Sequence, residues 1–287
     1  SVASVGRSAK NDRSASGSPA GLEPKNSLPT ANSVAADASL INLQASAHDG
    51  NMKANTGKTS DDTLDAVAVT LQVAGATNAS ITASENNVSS LLYANNASNT
   101  LGMNVTTVTA MTAALSNTQQ VSTGALYSRT LGDVLLKSTA AVAGSNLTLK
   151  DNSITATAGA NDAGNKMSVV ATDLVGRNLA NRAASVGSFQ VVTDFALGNQ
   201  QQLINGTDVT ATATGAVHLN ALSNDIGTGQ LTLSGNTLSA TGSANNATNA
   251  LSMTATNITQ ASLGLASEQS LDAGTSVTST TTGSTKM

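Results

Sequence analysis

The sequence predicts an all-β chain, a β-solenoid (β-helix) built from divergent repeats of about 68–84 residues, and three observations predict it. Apolar and hydroxyl residues alternate with a period of two, which sets successive side chains on opposite faces of a strand. A 28-residue segment recurs without a gap, the mark of stacked units. The residues left to form an interior are almost all small. Of 287 residues only Tyr93, Tyr127, Phe189 and Phe195 are aromatic, and there is neither Trp nor Cys.

Charge divides the chain first. Residues 1–70 hold 13 of the 30 charged side chains, and Pro19, Pro24 and Pro29 all fall within the first thirty residues. Residues 1–38 are therefore expected to be an extended arm or linker, a form that Pro, Ser and Gly favour. Such an arm is either a loose terminus or a strap that docks on a neighbouring subunit. Residues 39–146 follow as a divergent β-repeat region, then a β-repeat over 147–230 and a partial one over 231–287.

Within these segments the strands announce themselves. Leu40 to Ala45, Leu147 to Leu149, Ile154 to Ala158 and Val209 to Ala213 alternate apolar with polar residues, and Thr and Val are themselves strand formers. Asp151-Asn152, Gly235-Asn236 and Asn205-Gly206 punctuate them where turns belong. Helical periodicity is weak, with Met111 to Gln120 as its best stretch.

Residues 147–174 and 231–258 match at 13 of 28 positions, including Asn152/Asn236, Asn161/Asn245 and Asn165/Asn249. A third copy aligns Ile81-Thr82-Ala83 with Ile154-Thr155-Ala156, and Asn95, Ala97 and Asn99 with the later Asn-x-Ala-x-Asn frame. That alignment requires a seven-residue insertion between its halves. A second element recurs at Gln120 to Gly124, Gln202 to Gly206 and Ser270 to Gly274.

A unit of this kind, with no large core residue, cannot bury its own interior and has to stack on its neighbours. Asn152, Asn161, Asn165, Asn236, Asn245 and Asn249 are expected at the corners. Asn tolerates left-handed backbone there, and its amide either serves a plain turn or bonds the equivalent amide in the next layer. The competing architectures are tandem β-sandwich domains, which usually carry a repeated buried aromatic, and an amyloid-like cross-β stack.

The same composition excludes much. Net charge is −4, the charged fraction is 10%, and no apolar run approaches a membrane span. No basic patch is large enough for nucleic acid. Catalysis needs a nucleophile with a base, paired carboxylates or a metal cluster. None is found, so the chain is expected to be no enzyme, with no catalytic, cofactor-binding or metal-ligating residues and no cofactor. His48 and His218 have no ligand spacing. His218 stands where the preceding unit has Leu135, a tolerant strand surface. Thr56-Gly57-Lys58-Thr59 lacks the upstream Gly of a phosphate loop, that position being Met52. Asp49, Asp61, Asp62 and Asp65 do not follow a calcium-loop pattern, and a solvated acidic turn is the expectation. Eight Asn-x-Ser/Thr sequons, at Asn78, Asn87, Asn96, Asn104, Asn146, Asn205, Asn246 and Asn257, are what a chain rich in these residues produces by chance.

The phrases Asn-x-Ile-x-Ala-x-Ala, at Asn152 to Ala158, and Asn-x-Ala-x-Asn-x-Leu, at Asn245 to Leu251, resemble those of repetitive bacterial surface and biofilm-fibre proteins. β-Strand-repeat adhesins and holdfast-anchor-type proteins are among these, and the resemblance covers roughly residues 71–287. It implies secretion, an extracellular or cell-surface location and a structural or adhesive role, and it carries no catalytic residue. Absence of Cys agrees with export. Ser1 without an initiator Met, and without a signal-type apolar core, leads us to expect a processed product. The expected function is a structural subunit of an extracellular filament or biofilm matrix that self-assembles head to tail through strand edges and the N-terminal arm. Its expected partners are other copies of itself and surface or matrix polysaccharide. An adhesin or glycan-binding stalk and a phage tail fibre are the alternatives.

Overall fold

The computed structural model describes residues 2–6, 36–48, 50–60, 63–65, 67–176, 184–186, 189–191, 193–221 and 228–286. Among them there is no helix; the chain is all-β, with its strands gathered into parallel sheets. Most of the expected arm therefore lies outside the described residues. Its first segment, β1 (Val2–Gly6), is a strand.

The remaining strands come in successive passes. The first contains β2 (Ala38–Ala47), β3 (Met52–Thr56), the short β4 (Lys58–Ser60) and β5 (Thr63–Asp65), β6 (Val67–Val73), β7 (Ser80–Ser84) and β8 (Asn87–Thr109). The second contains β9 (Ala113–Ser122), β10 (Ala125–Ser138), β11 (Asn146–Lys150) and β12 (Ser153–Val175). After the hairpin of β13 (Ala184–Val186) and β14 (Phe189–Val191), the third contains β15 (Phe195–Leu203), β16 (Asp208–Ala221), β17 (Leu231–Ser234) and β18 (Thr237–Thr259). The chain closes with β19 (Leu263–Leu271) and β20 (Val277–Lys286).

Each pass visits the same sheets in the same order. The sheets run β1-β2-β9-β15-β19, then β3 and β6 beside β10-β16-β20, then β7-β11-β17, then β8-β12-β18. All four are parallel throughout. Among the described residues, antiparallel pairing occurs only in the β4–β5 and β13–β14 hairpins, so tandem antiparallel sandwiches are not what this chain forms. The sheets also run straight across residues 146/147 and 230/231, the expected boundaries, where β11 and β17 begin.

Register follows the repeats. Leu147 pairs with Leu231, and Asn152 to Val175 lie against Asn236 to Thr259 at one constant offset. The third copy has to be corrected. Ile81 pairs with Leu147 and Asn95 with Asn161 at a single offset of 66, so there is no seven-residue insertion. Ile81-Thr82-Ala83 correspond to Leu147-Thr148-Leu149; the short Ile-Thr-Ala match to Ile154-Thr155-Ala156 had pulled the alignment one strand too far. The variable spacing of the passes has a physical source as well. The connection from Val175 to Phe195 is sixteen residues longer than that from Thr259 to Leu263, and it carries the β13–β14 hairpin. The β4–β5 hairpin interrupts the first pass in the same way, splitting the partner of β10 into β3 and β6. Met111 to Gln120, the weak helical candidate, contributes most of β9: each residue from Ala113 to Gln120 is in register with both neighbouring strands.

Corners are made where the backbone turns left-handed. Glu85, Asp151 and Gly235 hold one corner in three passes at φ of 59°, 55° and 63°, and Ala110 and Gln260 hold another at 49° and 55°. In β12 the buried side chains are Ile154, Ala156, Ala158 and Ala160, then Asn161, Ala163, Asn165, Met167, Val169 and Ala171, and then Leu174. The inward face thus changes parity across Gly159–Asn161, where the ladder omits Ala160, and again past Ala171, where it omits Thr172, so one long strand serves more than one wall of the interior. The interior is built from Leu, Val, Ile and Ala, with Phe195 as its largest side chain. No helix of the structure is long and apolar enough to cross a membrane.

Candidate functional site

Two features stand out from this interior: columns of stacked amides, and an uncovered end. Parallel strands in register bring identical side chains to about 4.8 Å separation, the distance at which one carboxamide donates to the next.

Three columns run through the positions singled out in the sequence. At the corner after the left-handed residue, Asn86 Nδ2 donates to Asn152 Oδ1 (2.8 Å) and Asn152 Nδ2 to Asn236 Oδ1 (2.9 Å). Their backbone N–H groups donate to the same oxygens, at 3.0 Å in both cases, so the stacked amide also holds the turn. Just past the parity change, Asn95 donates to Asn161 and Asn161 to Asn245, each at 2.8 Å. Four residues on, Asn99 donates to Asn165 and Asn165 to Asn249, again at 2.8 Å. Asn152 and Asn236 therefore sit at a corner, Asn161 and Asn245 beside a bend, and Asn165 and Asn249 within a straight strand. For this last pair the corner expectation is corrected: Asn165 is buried and held by other amides, and Asn249 accepts from Asn165 and donates to the Ser267 hydroxyl.

The partners of that third column were not foreseen. Asn42, Asn117 and Asn199 stack in the facing sheet, at 2.6 and 2.7 Å, and the column ends on Ser267. Asn99 and Asn165 donate across the interior to Asn117 and Asn199 at 3.0 and 3.1 Å, tying two sheets together. Beside them Gln119 donates to Gln44, Gln201 to Gln119 and Gln269 to Gln201, at 2.7, 2.7 and 2.8 Å. The second hydrogen of Gln44, Gln119 and Gln201 reaches the backbone carbonyl of Asn96, Asp162 and Asn246 in the opposite sheet. The signal was present in the sequence as Leu-x-Asn-x-Gln at Leu40 to Gln44, Leu115 to Gln119 and Leu197 to Gln201, with Leu-x-Ser-x-Gln at Leu265 to Gln269. Asn117, Gln119, Asn161, Asn165 and Gln201 are buried. Each column meets the demand that buried polar groups be bonded, with each bond contributing about 0.5–1.5 kcal/mol net.

The columns have direction. The stacked asparagines donate toward the C-terminal passes, and Gln119, Gln201 and Gln269 donate toward the N-terminal ones. The Asn columns thus start at the oxygens of Asn86, Asn95 and Asn99, and the Gln column stops at the oxygen of Gln269.

The last pass is where the interior opens. Leu263, Leu265 and Leu271 are 41%, 51% and 52% exposed, whereas their register partners Phe195, Leu197 and Leu203 are buried. Ile258 is half exposed against buried Leu174, and Val277 is open against buried Val209. A shallow cavity lies here, lined by Gly242, Ser243, Ala244, Asn245, Gln269, Leu271 and Val277. It is the space a further layer would occupy, because the equivalent Gly159, Ala160, Asn161, Gln201, Leu203 and Val209 are all covered.

The other candidates fall apart. His218 lies half-buried opposite Leu135, as the alignment expected, and the His48 imidazole accepts a bond from the Gly50 N–H at 2.9 Å. Lys58 and Thr59 belong to strand β4 rather than to a helix start, so Gly57-Lys58-Thr59 has no phosphate-binding geometry. Asp49, Asp61 and Asp62 of the acidic turn lie outside the described residues. Among the described residues no three His, Asp or Glu converge as metal ligands. No family model matches the chain, and no curated protein or solved structure matches it either.

Proposed function

We propose that the chain is a β-solenoid whose repeats stack as its passes, and that it acts as a structural subunit of a bacterial extracellular filament or biofilm matrix. It self-assembles head to tail through strand edges, with the N-terminal arm taking part in the joint. One observation carries this reading: side chains of the last pass stand half exposed at register positions that are buried in the pass before. Burying a leucine contributes roughly 1.5–3 kcal/mol, so covering Leu263, Leu265 and Leu271 is a substantial drive toward association. The amide columns favour a second copy as the cover. In the sheet that ends on β19, one column runs from the Asn42 oxygen to the Ser267 hydroxyl and the other from the Gln44 amide to the Gln269 oxygen, so each presents a donor at one end and an acceptor at the other. A joint between unlike ends does not close on itself, and it grows a filament.

Placement outside the cell rests on the absence of Cys and on the resemblance to biofilm-fibre and adhesin repeats; matrix polysaccharide is the companion that this setting suggests. Electron microscopy and sedimentation across a concentration series test the reading. Unbranched fibres that lengthen with concentration are expected. A chain that stays monomeric at every concentration overturns it.

A further inference from the structure

The two edges of the five-stranded sheet are unequal. At one edge β1 pairs with β2 over only five residues, Val2–Gly6 with Ala38–Asn42, and no described strand covers Leu43–Ala47. Every other pair in this sheet runs for nine or ten residues. At the opposite edge β19 offers nine residues with no described strand on its outer side. Both edge strands run parallel to the sheet, so end-to-end stacking brings β19 of one copy to the place that β1 holds on the next.

The sheet's own register decides what would meet. Carried forward, it sets Leu263 opposite Ala38, Leu265 opposite Leu40, Gln269 opposite Gln44 and Leu271 opposite Ser46 of the second copy. The same register places Val2 and Ser4 of β1 opposite Ala38 and Leu40, a shorter and less apolar match. Gln44 donates one Nε2 hydrogen to the Asn96 carbonyl and keeps the other for the next rung, while Gln269 Oε1 ends the column. In the adjacent sheet, Val277 of β20 comes opposite Met52 of β3.

We infer that β1 is a removable cover: on assembly, β19 of one copy displaces β1 from β2 of the next, lengthening that pairing to nine residues and adding a rung to the glutamine column. This rests on the filament reading above and specifies its joint, with β1 of the arm guarding the edge instead of strapping the two copies together. The joint uses two of the four sheets, since β17 and β18 stop one strand short of β19 and β20.

The chain has no Cys, so introduced thiols report without background. Ala45 and Ser270 are opposite in the carried-forward register. Within one chain they are three strand spacings apart, about 14 Å, beyond the reach of a disulfide. Oxidation of the full chain carrying A45C and S270C is expected to give a ladder of covalent oligomers. Mixed single variants are expected to give a 45–270 linked peptide by mass spectrometry. Filaments that form without this bond overturn the joint and leave the filament reading standing; neither filaments nor bond overturns both. Deleting residues 2–6 is expected to shorten the lag before assembly several-fold. A lengthened lag means that β1 bridges copies instead of covering an edge, and overturns the inference.

Discussion

Strands β15 and β19 occupy the same sheet in register and share two inward leucines, which differ in what lies beyond them. Leu197 and Leu203 are buried, while Leu265 and Leu271 are half exposed. The residues are identical, so burial here belongs to the stack and not to the strand. A pass closes its interior only when another pass covers it, the nearest-neighbour logic of repeat architectures. The first pass differs again: Val88 and Val108 are buried although β8 is an edge strand. The two ends of the molecule are therefore not equivalent, and the C-terminal one is the open one.

Substitutions at matched positions can break this comparison. The largest difference is expected between Leu197→Ala and Leu265→Ala. The first empties a site covered on both sides and should cost about 2–5 kcal/mol in chemical denaturation. The second should cost less than half of that in dilute protein, yet raise the concentration needed for assembly. Equal losses of stability would mean that the last pass is as enclosed as the others.

Gly215 sharpens the comparison from the backbone. Its φ of 156° suits glycine, and a Cβ there would overlap the carbonyl oxygen of Gly132 in the neighbouring pass. Gly215→Ala should therefore cost about 2 kcal/mol or more, read as a fall in thermal midpoint. At Gly164, in the neighbouring long strand, a Cβ would meet the Ala97 carbonyl oxygen at an ordinary contact distance of 4.0 Å, and Gly164→Ala should change little.

The amide columns come next. Asn165 donates to both Asn199 and Asn249 and accepts from Asn99, so Asn165→Ala strands buried partners and should cost about 1–3 kcal/mol. Asn249→Ala, at the open end, should cost less. Asn161→Asp adds a sign test. A carboxylate buried in the column is disfavoured, so its folded pKa lies above the unfolded value. The variant should be most stable in acid, where the neutral acid still donates one of the two bonds that Asn161 makes, and lose stability as pH rises from the unfolded carboxylate range through neutrality. Urea midpoints at pH 4 and pH 7 measure this, and a variant equally stable at both would show that the column is hydrated.

Much of this was legible in the sequence. Period two gave the strands, and the 147–174 and 231–258 match gave a pairing that the structure keeps residue for residue. Turn residues such as Asp151 and Gly235 fell on left-handed corners. Three things were hidden for definable reasons. Ile81-Thr82-Ala83 resembles two adjacent strands of the later copies, and a short match cannot choose between them. Leu-x-Asn-x-Gln is spaced unevenly, because hairpins of different length interrupt the passes, so a search at fixed period steps over it. The inward role of Asn165 was hidden as well. Alternation says which residues share a face, but the parity change at Gly159–Asn161 decides which face is inside.

Helical reconstruction of the assembled protein by electron cryomicroscopy tests the central claim most directly. Four strands per copy, β2, β9, β15 and β19, stacked at about 4.8 Å, should give an axial rise of about 19 Å with strands perpendicular to the fibre axis. An assembly whose strands do not stack along its axis, or a protein that forms none, would contradict it.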